Sequence, residues 1–307
     1  MNAEHIAESL GGTAYGDSYL VCCPGHADRT PSLSIKQSAD KVLLKCFGGC
    51  EQRRVIESLR QMGLWDSKSA NGQPVTTSVR EPDPKDVERK KQWLHNLLAG
   101  ASTPTHGDPV DLHFRMIRKI PLLQYPESIL FHPRMAYFVF DKAAGRKIVQ
   151  SYHPGMVQVI TADDGTLLGA QRVYLQSNGQ KADLDPVKML MPSFRPQVHG
   201  AIRLCEPTDV LAVAEGCESA MAFHALTRLP AWSAVHAHGM EVLTIPEQVR
   251  TVFICVDHDE AGKRSADKLT HRLLLEGRKV FQSLPPFPQG IACKGADWST
   301  YLQEIRK

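Results

Sequence analysis

Thr251-Val252-Phe253-Ile254-Cys255-Val256-Asp257-His258-Asp259-Glu260-Ala261-Gly262 is an apolar run closed by two acids one residue apart and then by a glycine. A second run, Val210-Leu211-Ala212-Val213-Ala214, ends in Glu215-Gly216. Continuous apolar runs of this length read as strands buried on both faces, the pattern of a parallel sheet, and open parallel sheets hold their ligands beyond the carboxyl ends of the strands. The two runs therefore predict that Glu215, Asp257 and Asp259 meet at one sheet edge.

Carboxylates held about 4.5 Å apart repel by roughly 3 to 4 kcal/mol at an effective dielectric of 20, so such a cluster calls for a cation. Mg²⁺ takes oxygen ligands and is typically shared between carboxylates and substrate phosphates. Two such ions clamp the attacking and leaving oxygens of a phosphoryl transfer. The aspartates would also serve as caps of a helix starting near Gly262, but a cap needs no matching Glu-Gly on a second strand.

The pair of motifs resembles the Toprim domain of bacterial-type primases, topoisomerases, recombination mediators and some nucleases, over about residues 205 to 307. The resemblance implies that Glu215 acts as general acid or base, or orients metals, and that Asp257 and Asp259 bind Mg²⁺ or Mn²⁺. Asp297, in Lys294-Gly295-Ala296-Asp297-Trp298, is similar to the acid of the K-D-W-N segment that closes many phage and plasmid primase Toprim domains. Ser299 stands where that segment usually has asparagine.

Near the N-terminus lie Cys23-Pro24-Gly25-His26 and Cys46-Phe47-Gly48-Gly49-Cys50. Cys23, His26, Cys46 and Cys50 have the ligand types and spacing of a tetrahedral structural Zn²⁺ site, with Pro and Gly making the turns. A segment of about 65 residues buries little core unaided, and structural zinc contributes an apparent ~10 to 16 kcal/mol to such folding. Cys22 lies next to the C-P-x-H frame and, on a strand, points the other way. This segment is similar to the zinc ribbon of bacterial-type and phage primases, with three residues rather than two between its last cysteines. The resemblance implies contacts with single-stranded template through groups such as Lys36, Lys45 and Phe47.

Composition sets the class. The chain has 307 residues, 42% of them hydrophobic, and a formal net charge of +3. That is ordinary for a soluble protein of two or three domains. Neither end reads as a signal peptide, and no apolar run approaches a membrane span, so a cytoplasmic, membrane-free protein is expected. Eight cysteines in such a chain point to reduced thiols plus metal. Cys205, Cys217, Cys255 and Cys293 read as small buried hydrophobes. Residues 68 to 200 carry 17 Lys+Arg against 12 Asp+Glu, while both flanking regions are slightly acidic. The positive excess thus sits where a template or nucleotide would lie between ribbon and acids.

Punctuation predicts a zinc-ribbon domain over 1–65, a flexible linker over 66–84, a central α+β region over 85–200 and the α/β Toprim core, a Rossmann-like parallel sheet, over 201–307. Helices are expected over Gln52 to Gly63 and residues 85 to 100, with another opened by Asp108-Pro109. Strands are expected over Ala136 to Asp141, Arg146 to Tyr152, Met156 to Thr161 and Thr166 to Leu175, with Asp164-Gly165 as a hairpin signal. His236 and His238 are read as strand neighbours on one face that pack without a metal, and His258 as pointing away from the acids.

The central region resembles the one preceding the Toprim core in phage and plasmid primases, through Tyr125 to Pro133, Gln171-Arg172-Val173-Tyr174-Leu175, and Lys181 through Lys188. The resemblance implies that Arg172, Lys181 and Lys188 hold template and incoming nucleotide triphosphate. Gly262-Lys263 lacks the other residues of a phosphate-binding loop, so unwinding would fall to a separate replicative helicase. The expectation is a DNA primase of a mobile element, a DNA-directed RNA polymerase making short primers on single-stranded DNA by two-metal phosphoryl transfer, with the two ions held by Glu215, Asp257, Asp259 and Asp297. The alternatives are a non-catalytic, recombination-mediator-like DNA binder and a Toprim nuclease.

Overall fold

The computed structural model describes the chain except residues 1, 16–17, 27, 29–30, 39–40, 48–49, 66–83, 123, 142–144, 192–198, 288–295 and 307. The linker expected over 66–84 lies outside the described residues apart from Pro84. The chain forms two compact units, Met1–Arg80 with Phe138–Val149, and Glu81–Tyr137 with Gln150–Lys307. Among the described residues no helix is long and apolar enough to cross a membrane.

The first unit begins with α1 (Ala3–Ser9), followed by β1 (Thr13–Tyr15), β2 (Ser18–Val21), β3 (Leu33–Ser38), β4 (Lys41–Cys46) and α2 (Gln52–Gln61). Its strands form a four-stranded sheet in sequential order. Ile6, Leu33, Ile35, Val55 and Leu59 are almost fully buried together with Cys23. Strand alternation sends Leu33 and Ile35 inward and leaves Lys41, Leu43 and Lys45 exposed.

In the second unit α3 (Pro84–Ala99) and α4 (Pro109–Leu112) lead into a π-helical turn, His113–Ile117. Asp108 caps α4 through bonds from the Val110 and Asp111 N–H groups, with Pro109 at the first position. β5 (Ile129–Asp141), β6 (Arg146–Thr161), β7 (Leu167–Tyr174) and β8 (Lys188–Leu190) make a second four-stranded sheet. The sequence reading breaks β6 at Pro154-Gly155, yet the strand runs through. Pro154 has no N–H to give but stays in the ladder through its carbonyl, which accepts from the Leu175 N–H at 2.9 Å. A side chain on Gly155 would collide with Met135 and the Val173 carbonyl, so glycine marks close packing and not a turn. The true turn is Asp164-Gly165, where Gly165 takes φ 79° and Asp164 Oδ1 accepts the Thr166 N–H at 2.8 Å.

Buried Asp111 braces this region. It accepts from Arg115 at 2.8 Å, the Gly107 N–H at 2.8 Å and the Tyr125 hydroxyl at 2.9 Å. The Arg115 guanidinium foremost, against the cost of burial and with help from Gly107 and Tyr125, holds the Asp111 carboxyl down to about 2. Asp111→Asn is expected to cost about 2 kcal/mol in denaturant unfolding. The contribution is complete above the unfolded value near 3.9 and is lost as pH falls from there through the folded value.

The Toprim portion comprises β9 (Ile202–Arg203), β10 (Val210–Ala214), α5 (Cys217–Thr227), β11 (Ala231–Ser233), α6 (Ala237–Val242), β12 (Thr251–Cys255), α7 (Glu260–Leu275), β13 (Lys279–Ser283) and α8 (Trp298–Ile305). Its sheet order is β13-β12-β10-β11-β9, with β9 antiparallel and the others parallel. Ala212 and Ala214 join the core containing α5 and α8, while Leu211, Val213, Val252 and Ile254 join that containing α6 and α7. Two covered faces are why the sequence runs are apolar at every position.

Candidate functional site

Ala214 stands opposite Cys255 in the parallel pair β10–β12, so both strands end at the same level. Glu215 leaves one strand end and Asp257 and Asp259 the other. Asp297 arrives separately, at the start of α8. Glu215, Asp257 and Asp297 line one cleft of about 290 Å³ together with Arg118, Lys181 and Lys188.

Asp257 Oδ1 is buried and has no hydrogen-bond partner. Burial, then repulsion from Asp297, Glu215 and Asp259, pushes the Asp257 carboxyl up to about 7, with Lys188 opposing. Burial first and Asp259 second likewise raise Glu215, against the Ala237 N–H and Lys188. An orphaned buried carboxylate oxygen facing other acids is the donor set a hard divalent cation fits. The acids are not drawn tightly together. Among the described residues the only group of three or more metal-ligating side chains whose atoms all lie within 4.8 Å is Cys23, His26, Cys46 and Cys50.

Asp259 and Asp297 each serve as a helix cap, and of the two only Asp297 is among the residues that line the cleft. Asp259 caps α7 by accepting the Gly262 N–H at 2.7 Å, and Asp297 caps α8 by accepting the Thr300 N–H at 2.7 Å; both bonds fall on Oδ1. A side chain on Gly262 would crowd Asp257 Cβ and its carbonyl, each at 3.2 Å, so glycine lets α7 start directly on the acidic turn. Val235, which also lines the cleft, has φ 73°. A β-branched residue in that region stores strain of about 1 to 3 kcal/mol, which recurs at functional sites.

Lys181 and Lys188 lie in the cleft wall, and they share a partner that the sequence reading does not predict. Glu218, in the first turn of α5, is 3% exposed. Its carboxylate lies 3.0 Å from Lys188 Nζ, 3.4 Å from Lys181 Nζ, 3.5 Å from Arg118 and 3.9 Å from His113 Nε2. Burial opposes its charge, yet His113, Lys188, Lys181 and Arg118 together outweigh that and hold it well below the usual carboxylate range. The π-helical turn brings His113 and Arg118 to it, and His113 Nδ1 is fixed by the Gly179 carbonyl at 2.8 Å. In the sequence Glu218 is one more acid shortly after Glu-Gly; its one signal is its place three residues after Glu215, as the second residue of α5.

Arg172 is a correction. Successive strand residues face opposite ways, and Gln171 lines the cleft. Arg172 therefore turns inward, 7% exposed, stacked on Trp93 at 4.7 Å and bonded to the Tyr174 hydroxyl at 2.7 Å. Its expected template or nucleotide role gives way to packing. His236 and His238 are not on a strand: His236 caps α6 by accepting the Gly239 N–H at 2.8 Å, and His238 lies within that helix. His258 Nε2 turns to the Pro285 carbonyl at 3.3 Å. Cys217 and Cys255 are buried, but Cys205 is only half-buried, 3.7 Å from His224 Nδ1; Cys293, Lys294 and Gly295 lie outside the described residues.

In the first unit His26 Nδ1 lies 3.2 Å from Cys50 Sγ and 3.9 Å from Cys46 Sγ. His26 Nε2 faces Asp28 at 3.6 Å, the second partner that fixes a ligating imidazole. A side chain on Gly25 would approach Cys50 Sγ to 3.2 Å and Cys23 Sγ to 3.5 Å, so only glycine leaves this pocket open. Three thiols and an imidazole suit Zn²⁺. Cys22 is outside the group. Lys45 lies over the exposed Phe47 ring at 5.4 Å.

Comparison with known families agrees with this geometry. Residues 4–74 match the CHC2 zinc finger, residues 210–305 the Toprim domain, and residues 88–204 a domain of unknown function (DUF7146). The chain thus carries a CHC2 zinc ribbon and a Toprim domain. That combination is the architecture of DnaG-like primases. None of the curated protein sequences compared with it matches. Similar solved structures include the zinc-binding and RNA polymerase domains of the Aquifex aeolicus primase, at 16% identity and TM-score 0.41, covering 98% of this chain and 79% of that one. The RNA polymerase domain of Mycobacterium tuberculosis primase DnaG matches at 11% identity and TM-score 0.40, over 73% and 82% of the chains. A DNA primase domain from Pseudomonas aeruginosa matches at 17% identity and TM-score 0.37, over 54% of this chain and 52%, about half, of that one.

Proposed function

We propose that the protein is a DNA primase: a DNA-directed RNA polymerase that makes short oligonucleotides on single-stranded DNA from nucleoside triphosphates, with domains over 1–65, 85–200 and 201–307. The observation that carries this reading is the meeting of four acids, Glu215, Glu218, Asp257 and Asp297, and three cations in one cleft, with Asp257 Oδ1 left unpartnered. Mg²⁺ or Mn²⁺, when bound, would supply Lewis-acid polarisation of the reacting phosphate and lower the pKa of the attacking hydroxyl. Glu215, Asp257, Asp259 and Asp297 would hold the two ions. Glu215, whose carboxyl is already pushed toward its protonated form, would orient the metals or serve as general acid or base. Lys181 and Lys188 would hold the nucleotide phosphates. The zinc ribbon, held by Cys23, His26, Cys46 and Cys50, would present Lys36, Lys45 and Phe47 to the template.

Resemblance of the central region to phage and plasmid primases supports a role in replicating a mobile element, with a separate helicase opening the duplex. The protein incubated with single-stranded DNA, nucleoside triphosphates and Mg²⁺ or Mn²⁺ is expected to yield new short strands. Fragments would mean a nuclease, and a mobility shift with no new strand would mean a binding protein; either result ends the primase reading.

A further inference from the structure

Glu218 differs from the other acids of the cleft in lying against its cations. It is buried, and its formal charge of −1 is shared among Arg118, Lys181 and Lys188, which carry +3 between them. Relative to Glu218 alone two positive charges are left over, and Glu215, Asp257 and Asp297 line the same cleft. The three head groups come from separate places: the residue after the π-helical turn, the segment following β7, and the start of β8. Long flexible side chains converge on one point only when something holds them there, because each gives up about 1.5 to 2 kcal/mol of rotamer entropy. Glu218 is the group all three share. Its Oε1 atom is buried without a well-aligned hydrogen bond although cations surround it, so the carboxylate acts as a common counter-charge and does not saturate any one of them.

We propose that Glu218 is a positioning residue for a polyphosphate subsite, holding the Arg118, Lys181 and Lys188 head groups in the cleft and setting their surplus charge near +2. The ligand class is a pyrophosphate group, carried by a nucleoside triphosphate or released from it. The acids Glu215, Asp257 and Asp297 in the same cleft repel such a group, so it settles on the cations and leaves the reacting phosphate nearer the acids. Leaving one negative charge among the cations keeps the subsite from gripping the product too tightly. This rests on the primase reading for its biological meaning, but the subsite itself can be tested without primer synthesis.

The test is calorimetric binding of inorganic pyrophosphate to the full-length protein in the absence of divalent metal. Wild type is expected to bind, and Lys181→Met and Lys188→Met each to bind about tenfold more weakly. Glu218→Gln is expected to bind about tenfold more tightly, the effect of one unit charge at this range in a partly buried site. Glu218→Gln should also lower kcat for primer synthesis more than it changes KM, with Glu218→Asp restoring part of the loss. A residue needed only for folding would weaken pyrophosphate binding when replaced; weaker or unchanged binding by Glu218→Gln overturns the proposal. Should that variant fail to fold, the lysine variants decide, since wild-type affinity in both would equally overturn it. Pyrophosphate binding with the expected signs but no primer synthesis would sink the primase reading and leave the subsite standing.

Discussion

Asp257→Asn is expected to reduce primer synthesis at least about 100-fold while leaving the protein as stable as before, or more so. Removing a group that holds charge-stabilising metal ions costs several kcal/mol at the transition state, which is a factor of this size. Stability should move the other way because, without a cation, Asp257 is buried and faces Asp297, Glu215 and Asp259. Asparagine keeps the shape and removes the repulsion. Adding Mg²⁺ or Mn²⁺ should raise the melting temperature of the wild type, since an ion that binds only the folded state stabilises it by mass action. The asparagine variant should show little of that rise. An active variant, or one stabilised by the ion as much as the wild type, would remove Asp257 from the metal site.

Cys46→Ser, or a strong chelator at neutral pH, is expected to release one zinc per chain and melt the first unit. The core there is small, built on Ile6, Leu33, Ile35, Val55 and Leu59. Burial, with the neighbouring thiols Cys46 and Cys50 adding to it against the Gly25 N–H, pushes the Cys23 thiol up to about 12. Cys50 is raised too, first by burial and then by Cys46. In the absence of a cation these thiols stay protonated, and a metal must displace their protons, so zinc affinity should fall as pH drops. With an apparent ~10 to 16 kcal/mol at stake, amide exchange over residues 18–46 should speed by more than about 100-fold. The parallel sheet over 210–283 has its own two cores and should keep its protection. Retained protection in metal-free protein would show that the ribbon folds on its own apolar contacts.

Much of the candidate site could be read before any coordinates. Apolar runs that end in acids place Glu215 and Asp257 at strand ends because a strand buried on both faces has no polar residue until it leaves the sheet. The ligands Cys23, His26, Cys46 and Cys50 could be read because their two turns are local. The errors have equally physical origins. Chain neighbours point Arg172 toward the template or nucleotide, while strand alternation, which turns it onto Trp93, depends on which face the cleft occupies. His236 looked like a strand residue because a short helix begins at its own cap, with too few turns to show a period.

Sequence alone determined the order of the parts, the two strand ends that carry acid and the four side chains suited to zinc, since each depends on spacing within a few residues. Only the tertiary structure decided that Glu218 is buried beneath Arg118, Lys181 and Lys188, and that Asp257 keeps an oxygen without a partner. Lys188 and Glu218 are 30 residues apart in the chain and 3.0 Å apart in space. Side-chain periodicity records which face of an element is buried, but the charges that meet across a cleft are set by how separate elements pack.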